Sequence, residues 1–205
     1  MKKHSGFTLI EIMITMGIVG VLLTLGVPSL KSFMQSNQLI ATTNEMLTTL
    51  HIARSEAIKL NKRVSICDSN DGKTCANVGD WTSGWIVFTD ATGATPGDLT
   101  NTGLPCVAAN VNTDCILRIH DAIADPLLTA TGIYDSNNAV ITSFTFTSRG
   151  LPKGANGAAQ SGIFSICSFD SSDTVIDSRA VVLSLSGRVR VSDNAAVINC
   201  PLNPL

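Results

Sequence analysis

Charge is scarce in this chain. Asp, Glu, Lys and Arg make up 15% of its 205 residues, against about a quarter in ordinary soluble domains. The 14 basic and 16 acidic side chains nearly cancel. A broad basic surface is therefore excluded, and any contact with nucleic acid has to come from a local patch. Histidine is rarer still. Of three, His4 precedes the first apolar run and His51 falls within a helical pattern, which leaves His120 beside Asp121. No Gly-x-Ser-x-Gly, phosphate loop or paired-carboxylate motif is present, so the chain reads as a non-enzyme without a cofactor. No two cysteines form a Cys-x-x-Cys pair, which argues against zinc, and no metal is expected. There is no internal repeat.

The longest absence is also the most informative. From Ile12 to Leu30, 19 residues carry no charge. A helix of that length spans the ~30 Å hydrocarbon core of a bilayer. Lys2 and Lys3 precede it, and the positive-inside rule keeps them cytoplasmic, so the rest of the chain faces the periplasm or the outside. A secretory signal has small residues after its apolar region. Here the run ends in Gly26-Val27-Pro28-Ser29, and the small residue, Gly6, stands before it. The apolar segment is thus expected to stay in the mature protein.

Gly6-Phe7-Thr8-Leu9-Ile10-Glu11 resembles the class III prepilin signal of type IV pilins and type II secretion pseudopilins. The resemblance implies that a membrane prepilin peptidase cuts after Gly6 and N-methylates Phe7. Residues 1–6 are then a leader, 7–62 a long helix with about 7–30 in the inner membrane, and 63–205 a β-rich periplasmic head. Loss of Lys2 and Lys3 leaves 12 basic against 16 acidic side chains, a net of −4.

All six cysteines (Cys67, Cys75, Cys106, Cys115, Cys167 and Cys200) lie beyond the apolar run, on the side that permits disulfides. Six cysteines allow ~15 connectivities. Proximity favours Cys67–Cys75 and Cys106–Cys115, each closing a short polar loop, which leaves Cys167–Cys200. Asp68-x-Asn70-Asp71-Gly72 invites a calcium reading, but counting back from Gly72 puts Cys67, Ser69 and Asp71 where a calcium loop needs its first three ligands, and the template fails.

Leu39, Met46, Leu50, Ala53, Ala57 and Leu60 follow one face of a helix. The pattern resumes after Pro28, which should kink the helix rather than end it. Beyond Val64 the periodicity changes. Val64–Cys67, Gly84–Phe88, Ser143–Thr147 and Gly162–Cys167 read as strands, and Asp90 to Asp114 as long loops. The fold class is α+β: a long N-terminal helix packed against antiparallel sheet, as in the type IV pilin fold that the resemblance implies.

Later residues narrow the resemblance. Ala53-Arg54-Ser55-Glu56-Ala57, Trp81 with Gly84-Trp85-Ile86-Val87-Phe88-Thr89-Asp90, and Phe144-x-Phe146 leading to Arg149-Gly150 are similar to the GspH/FimT family of minor pilins and pseudopilins. In the simplest reading Trp85 and Phe88 are core, and Arg54 to Glu56 a solvated helix face. The resemblance implies other pilins as filament partners. From Val181 the alternation is clean, with Ser186-Gly187 placed for a tight turn. Arg188 and Arg190 then project the same way, about 7 Å apart along a strand, a spacing that suits successive phosphates. Without that role they are a charged strand edge. Gly187-Arg188-Val189-Arg190 resembles a Gly-Arg-x-Arg motif of FimT-type minor pilins, which implies capture of double-stranded DNA in natural transformation. Arg149, Lys153 and Arg179 are candidates to extend that patch. Two other readings compete: the H pseudopilin of type II secretion, and a purely structural pilus-priming subunit.

Glu11 sits near the start of the apolar span, where a carboxylate needs a partner. The resemblance implies the N-terminal amine of Phe7 in a neighbouring subunit. Glu11→Ala should still insert in the membrane but be depleted from sheared filaments. Normal recovery of the variant in those filaments contradicts the role.

Overall fold

In a computed structural model the chain is described at residues 7–91, 97, 99, 104–107, 113–194 and 196–200, with the side chains of 25–29 excepted. Helix α1, Leu9–Leu60, is continuous through Pro28. Thr8 opens it, its hydroxyl accepting the Glu11 amide at 3.3 Å. Threonine before the first turn with glutamate three residues later is the spacing of a capping box. Asn61 closes the helix in the left-handed region, at φ 52°. Its amide bonds to the Ile58 carbonyl and that of Lys62 to the Ala57 carbonyl, the paired bonds of a Schellman motif.

The chain forms two compact units, one ending at Asn37 and one starting at Gln38. In the first, Phe7, Leu9, Ile10 and the apolar side chains through Leu23 are exposed. Among the described residues no helix is long and apolar enough to cross a membrane.

Among the described residues the second unit holds the part of α1 from Gln38 on and nine strands. β1 (Arg63–Asp68), β2 (Trp85–Asp90), β3 (Cys115–His120), β5 (Ser143–Phe146) and β6 (Pro152–Gly154) form one sheet in the order β3-β2-β1-β5-β6. β4 (Leu128–Tyr134), β7 (Gly162–Phe169), β8 (Val175–Leu183) and β9 (Val189–Ser192) form the other, in the order β4-β7-β8-β9. The ladders within both sheets are antiparallel. The four strands expected from the alternation are β1, β2, β5 and β7, each within a few residues of its expected bounds. β3, β4 and β6 are additional, and β8 begins earlier than Val181, at Val175.

Leu39, Met46, Leu50, Ala53 and Ala57 are fully buried. They pack with Val64, Ile66, Trp85, Val87, Phe144 and Phe146 of the first sheet and with Phe164, Ile166, Val181, Leu183 and Val189 of the second. Leu60, the last of the predicted stripe, is half-buried. The Trp85 indole N–H donates to Thr49 of α1 at 3.2 Å, and that of Trp81 to the Ile141 carbonyl at 2.8 Å, so neither buried donor is orphaned. His120 stacks on Trp85 with ring centroids 3.7 Å apart and bonds to Glu45 of α1 at 2.8 Å.

The first sheet has a second buried face. Cys67, Ile86, Phe88 and Ile116 cluster there with Cys75 and Leu99. Disulfide Cys67–Cys75 lies at this face. Cys106–Cys115 starts from the first residue of β3, opposite Thr89 and so on the other face, and Cys167–Cys200 ties Cys200 to β7. These are the pairs that proximity favours. Most of the loop expected from Asp90 to Asp114 lies outside the described residues.

Leu50→Ala should lower stability by about 2–5 kcal/mol, because it empties a site closed on all sides. Leu60→Ala, on the same predicted stripe but half-buried, should cost under about 1 kcal/mol. Chemical denaturation of the full chain in detergent checks both, and equal losses would contradict the packing.

Candidate functional site

The C-terminal hairpin is built from β8 and β9, with Leu183 opposite Val189 and Val182 opposite Arg190. Its turn is one residue longer than the expected Ser186-Gly187 pair. The Ser184 amide donates to the Arg188 carbonyl at 3.0 Å, and the Gly187 amide closes back on the Ser184 carbonyl at 2.8 Å. Leu185, Ser186 and Gly187 form a three-residue loop that ends in the left-handed region, with Gly187 at φ 76°. This is the common alternative to a two-residue hairpin turn. The Ser184 hydroxyl bonds to both the amide and the carbonyl of Arg188.

Residues opposite each other in an antiparallel pair share a face. Arg190, opposite Val182, and Arg188, bonded to Ser184, therefore lie on one face, and both are exposed. Val181, Leu183 and Val189 take the other face, in the core. An open groove beside Arg190 is lined by Ser161, Ile163, Leu185 and Val197, with the carboxylate of Asp135 as its acidic member.

The turn is held from below. Arg54 of α1 donates from Nη1 to the Gly187 carbonyl at 2.8 Å and from Nη2 to the Ser186 carbonyl at 3.4 Å. It is half-buried, and its role as an anchor corrects the reading of Arg54 as part of a solvated face. The Thr147–Leu151 turn closes the third side. A Cβ on Gly187 would collide with the Gly150 carbonyl and come within 3.1 Å of Arg54 Nε. A Cβ on Gly150, at φ 72°, would meet Ile58 at 2.9 Å and Arg54 Nε at 3.0 Å. Backbone conformation requires glycine at both positions, and at Gly187 packing against a backbone carbonyl requires it as well.

The other candidate cations divide. Arg149 is exposed and adjacent in sequence to Gly150, whose carbonyl faces Gly187, the neighbour of Arg188. Lys153 is half-buried on β6, at the edge of the other sheet. Arg179 is a correction. It lies three residues before Val182 on β8, opposite Ile166, so it projects from the face opposite to Arg190 and does not extend the same patch. Its Nε is buried without a hydrogen-bond partner. Gly6 lies outside the described residues, Phe7 is 81% exposed, and Glu11 sits in the first turn of α1, where a carboxylate complements the helix dipole.

Two carboxylates elsewhere are set by their surroundings. In the turn closed by Cys67–Cys75, Asp71 accepts the amides of Lys73 and Thr74 and the hydroxyls of Thr74 and Ser69. Led by the backbone bonds, these hold its carboxyl down at about 2. Asp90, buried on β2, is bound by Arg63, Ser65 and the Gly97 amide. Burial nevertheless raises its pKa. Among the described residues no group of histidine, cysteine or carboxylate side chains is arranged to hold a metal.

Comparison with known proteins decides the family. The profile of the type II transport protein GspH matches residues 42–187, from the buried half of α1 to the hairpin turn. The chain belongs to the GspH family. A prokaryotic N-terminal methylation motif matches residues 1–27 of this GspH-family chain as well. No curated protein matches it in sequence. Among solved structures it is similar to the type IV minor pilin FimU of Pseudomonas aeruginosa, with 24% identity over 78% of this chain and 92% of that one and a TM-score of 0.50. A second crystal form of FimU gives 23% identity over 75% and 92%, with a TM-score of 0.49. The GspH-family chain thus has the type IV pilin fold, a long N-terminal helix with antiparallel sheets, and is a pilin-like protein of the minor pilin and pseudopilin group.

The Asp71 carboxyl has a folded-state pKa below its ordinary 3.8. Its contribution to stability is therefore complete above that value and lost as pH falls toward 2. Asp90, shifted upward, acts with the opposite sign: it favours the folded state at low pH, and this is lost as pH rises through its raised pKa. Asp71→Asn should flatten the acid limb of the stability profile between pH 3.8 and about 2. Denaturation midpoints measured across that interval check it, and an unchanged limb would place the titration elsewhere.

Proposed function

We propose that this protein is a minor pilin of a type IV pilus system that binds double-stranded DNA through Arg188 and Arg190, with Arg149 flanking them. Prepilin peptidase cuts it after Gly6 and methylates Phe7. Residues 7–30 hold it in the inner membrane, N-terminus cytoplasmic and head periplasmic, until it joins other pilins in the filament. The supporting observation is the pair of exposed arginines on one face of a hairpin whose turn is fixed to α1. Phosphates can be met there by forked guanidinium bonds without first ordering the backbone. The chain has excess acid overall, so the binding is local, blind to base sequence and salt-dependent. It serves DNA uptake in natural transformation.

The matched family, that of the type II transport protein GspH, favours a second reading: the H pseudopilin of a type II secretion system. In that role the filament moves folded proteins and the arginines only protect a sheet edge.

Titration of short duplex DNA with the full chain in detergent separates the readings. The first expects binding with a slope of log affinity against log salt of about −2 to −3, for two or three phosphate contacts. Arg188→Ala with Arg190→Ala should abolish it while leaving the melting midpoint unchanged. Absence of binding at low salt overturns the DNA reading and leaves secretion or a structural priming role.

A further inference from the structure

We infer that Arg54 is the positioning residue of the Arg188–Arg190 hairpin: it locks the turn in one orientation from within helix α1 and touches no ligand. Three segments distant in sequence meet at its guanidinium. They are the last turns of α1, the Thr147–Leu151 turn and the Ser184–Arg188 turn. The contact to Gly187 spans 133 residues of sequence. Without it, β9 is an edge strand of four residues, attached to its sheet by one ladder and tied back covalently only at Cys200, eight residues further on. Such a ribbon frays readily.

The acceptors are informative. Both are backbone carbonyls, Ser186 and Gly187, so Arg54 fixes the path of the chain and leaves the side chains of the turn free. A planar fork with several donors can bond two neighbouring carbonyls, whereas a lysine ammonium is a point donor without that fixed geometry. The two glycines give the guanidinium and the facing backbone room to close, since a Cβ on either one would approach Arg54 Nε to 3.0–3.1 Å. The first glycine of Gly187-Arg188-Val189-Arg190 is therefore a docking residue for the helix, and only the arginines face outward. The inference draws on the proposed DNA reading for the affinity that Arg54 sets, but not for the order it imposes on the hairpin.

The test pairs hydrogen exchange with DNA titration on the full chain in detergent, for the wild type, Arg54→Ala, Arg54→Lys and Gly187→Ala. Arg54→Ala should speed exchange at the Ser184, Gly187 and Arg188 amides about tenfold, the effect of losing one charge-assisted bond. The β1, β2 and β7 amides should stay protected. Arg54→Lys should lie between it and the wild type, and Gly187→Ala, which leaves the guanidinium intact, should loosen the same amides. DNA affinity should fall several-fold in Arg54→Ala with the salt slope unchanged. A slope reduced by about 0.9 would make Arg54 a phosphate contact and overturn the positioning role. Unchanged exchange in Arg54→Ala would overturn it too, and so would unchanged exchange in Arg54→Lys if the alanine variant fails to fold. If the wild type binds no DNA but Arg54→Ala frees the hairpin, the positioning role stands and the DNA reading falls.

Discussion

Between Leu39 and Ala57 helix α1 buries one face, apolar at Leu39, Met46, Leu50, Ala53 and Ala57 and interrupted by the buried Thr42, Thr43 and Thr49. Its apolar residues share one core with both sheets. Five of its side chains are entirely withdrawn from water. A helix of this kind gains most of its stability from tertiary packing rather than from propensity. The alternation in β8 and β9 follows from burial on one face, since Val181, Leu183 and Val189 enter the shared core while Arg188 and Arg190 stay exposed. The polar contacts then fix what packing leaves loose. Thr49 takes the Trp85 indole, Glu45 takes His120, and Arg54 takes the hairpin turn. These three lie along one stretch of α1, so the helix sets the positions of β2, β3 and the β8–β9 turn together.

This dependence explains which parts of the fold were legible in the sequence. The stripe on α1 and the strands β1, β2, β5 and β7 carry strong local patterns, read from spacing alone. The short separations of Cys67 from Cys75 and of Cys106 from Cys115 likewise made their pairing the favoured one. β4 is different. Its run Leu-Thr-Ala-Thr-Gly-Ile-Tyr has a glycine inside it, and the reason lies far away in sequence: a Cβ on Gly132 would crowd Ile141 and the Phe164 ring at 3.1 Å. β6, of three residues beginning with Pro152, is defined by its pairing with β5 and not by any pattern of its own.

The candidate site divides in the same way. Arg188 and Arg190 stood out because alternation shows which residues share a face. Register then separates Arg179 from them, a distinction that needs the pairing partner as well as the strand. Arg54 read as an ordinary charged helix residue, since nothing local points to a carbonyl 133 residues away. The Thr8–Glu11 spacing carried two signals at once. One is a carboxylate near the start of an apolar helix, the other a capping pattern that the Thr8–Glu11 bond displays.

The bond between Cys167 and Cys200 has a mechanical consequence. It closes a covalent ring that includes β8, the turn and β9, joining Cys167 of β7 to Cys200 across 33 residues. An edge strand held by one ladder ordinarily peels away one hydrogen bond at a time when it is tugged. Here a pull on the turn is shared between β8 and the bond from Cys200 back to β7, so that unzipping of β9 leaves the hairpin tethered at both ends. The head can therefore carry tension through its C-terminal hairpin along a path that ends in covalent bonds on one side and in the guanidinium of Arg54 on the other.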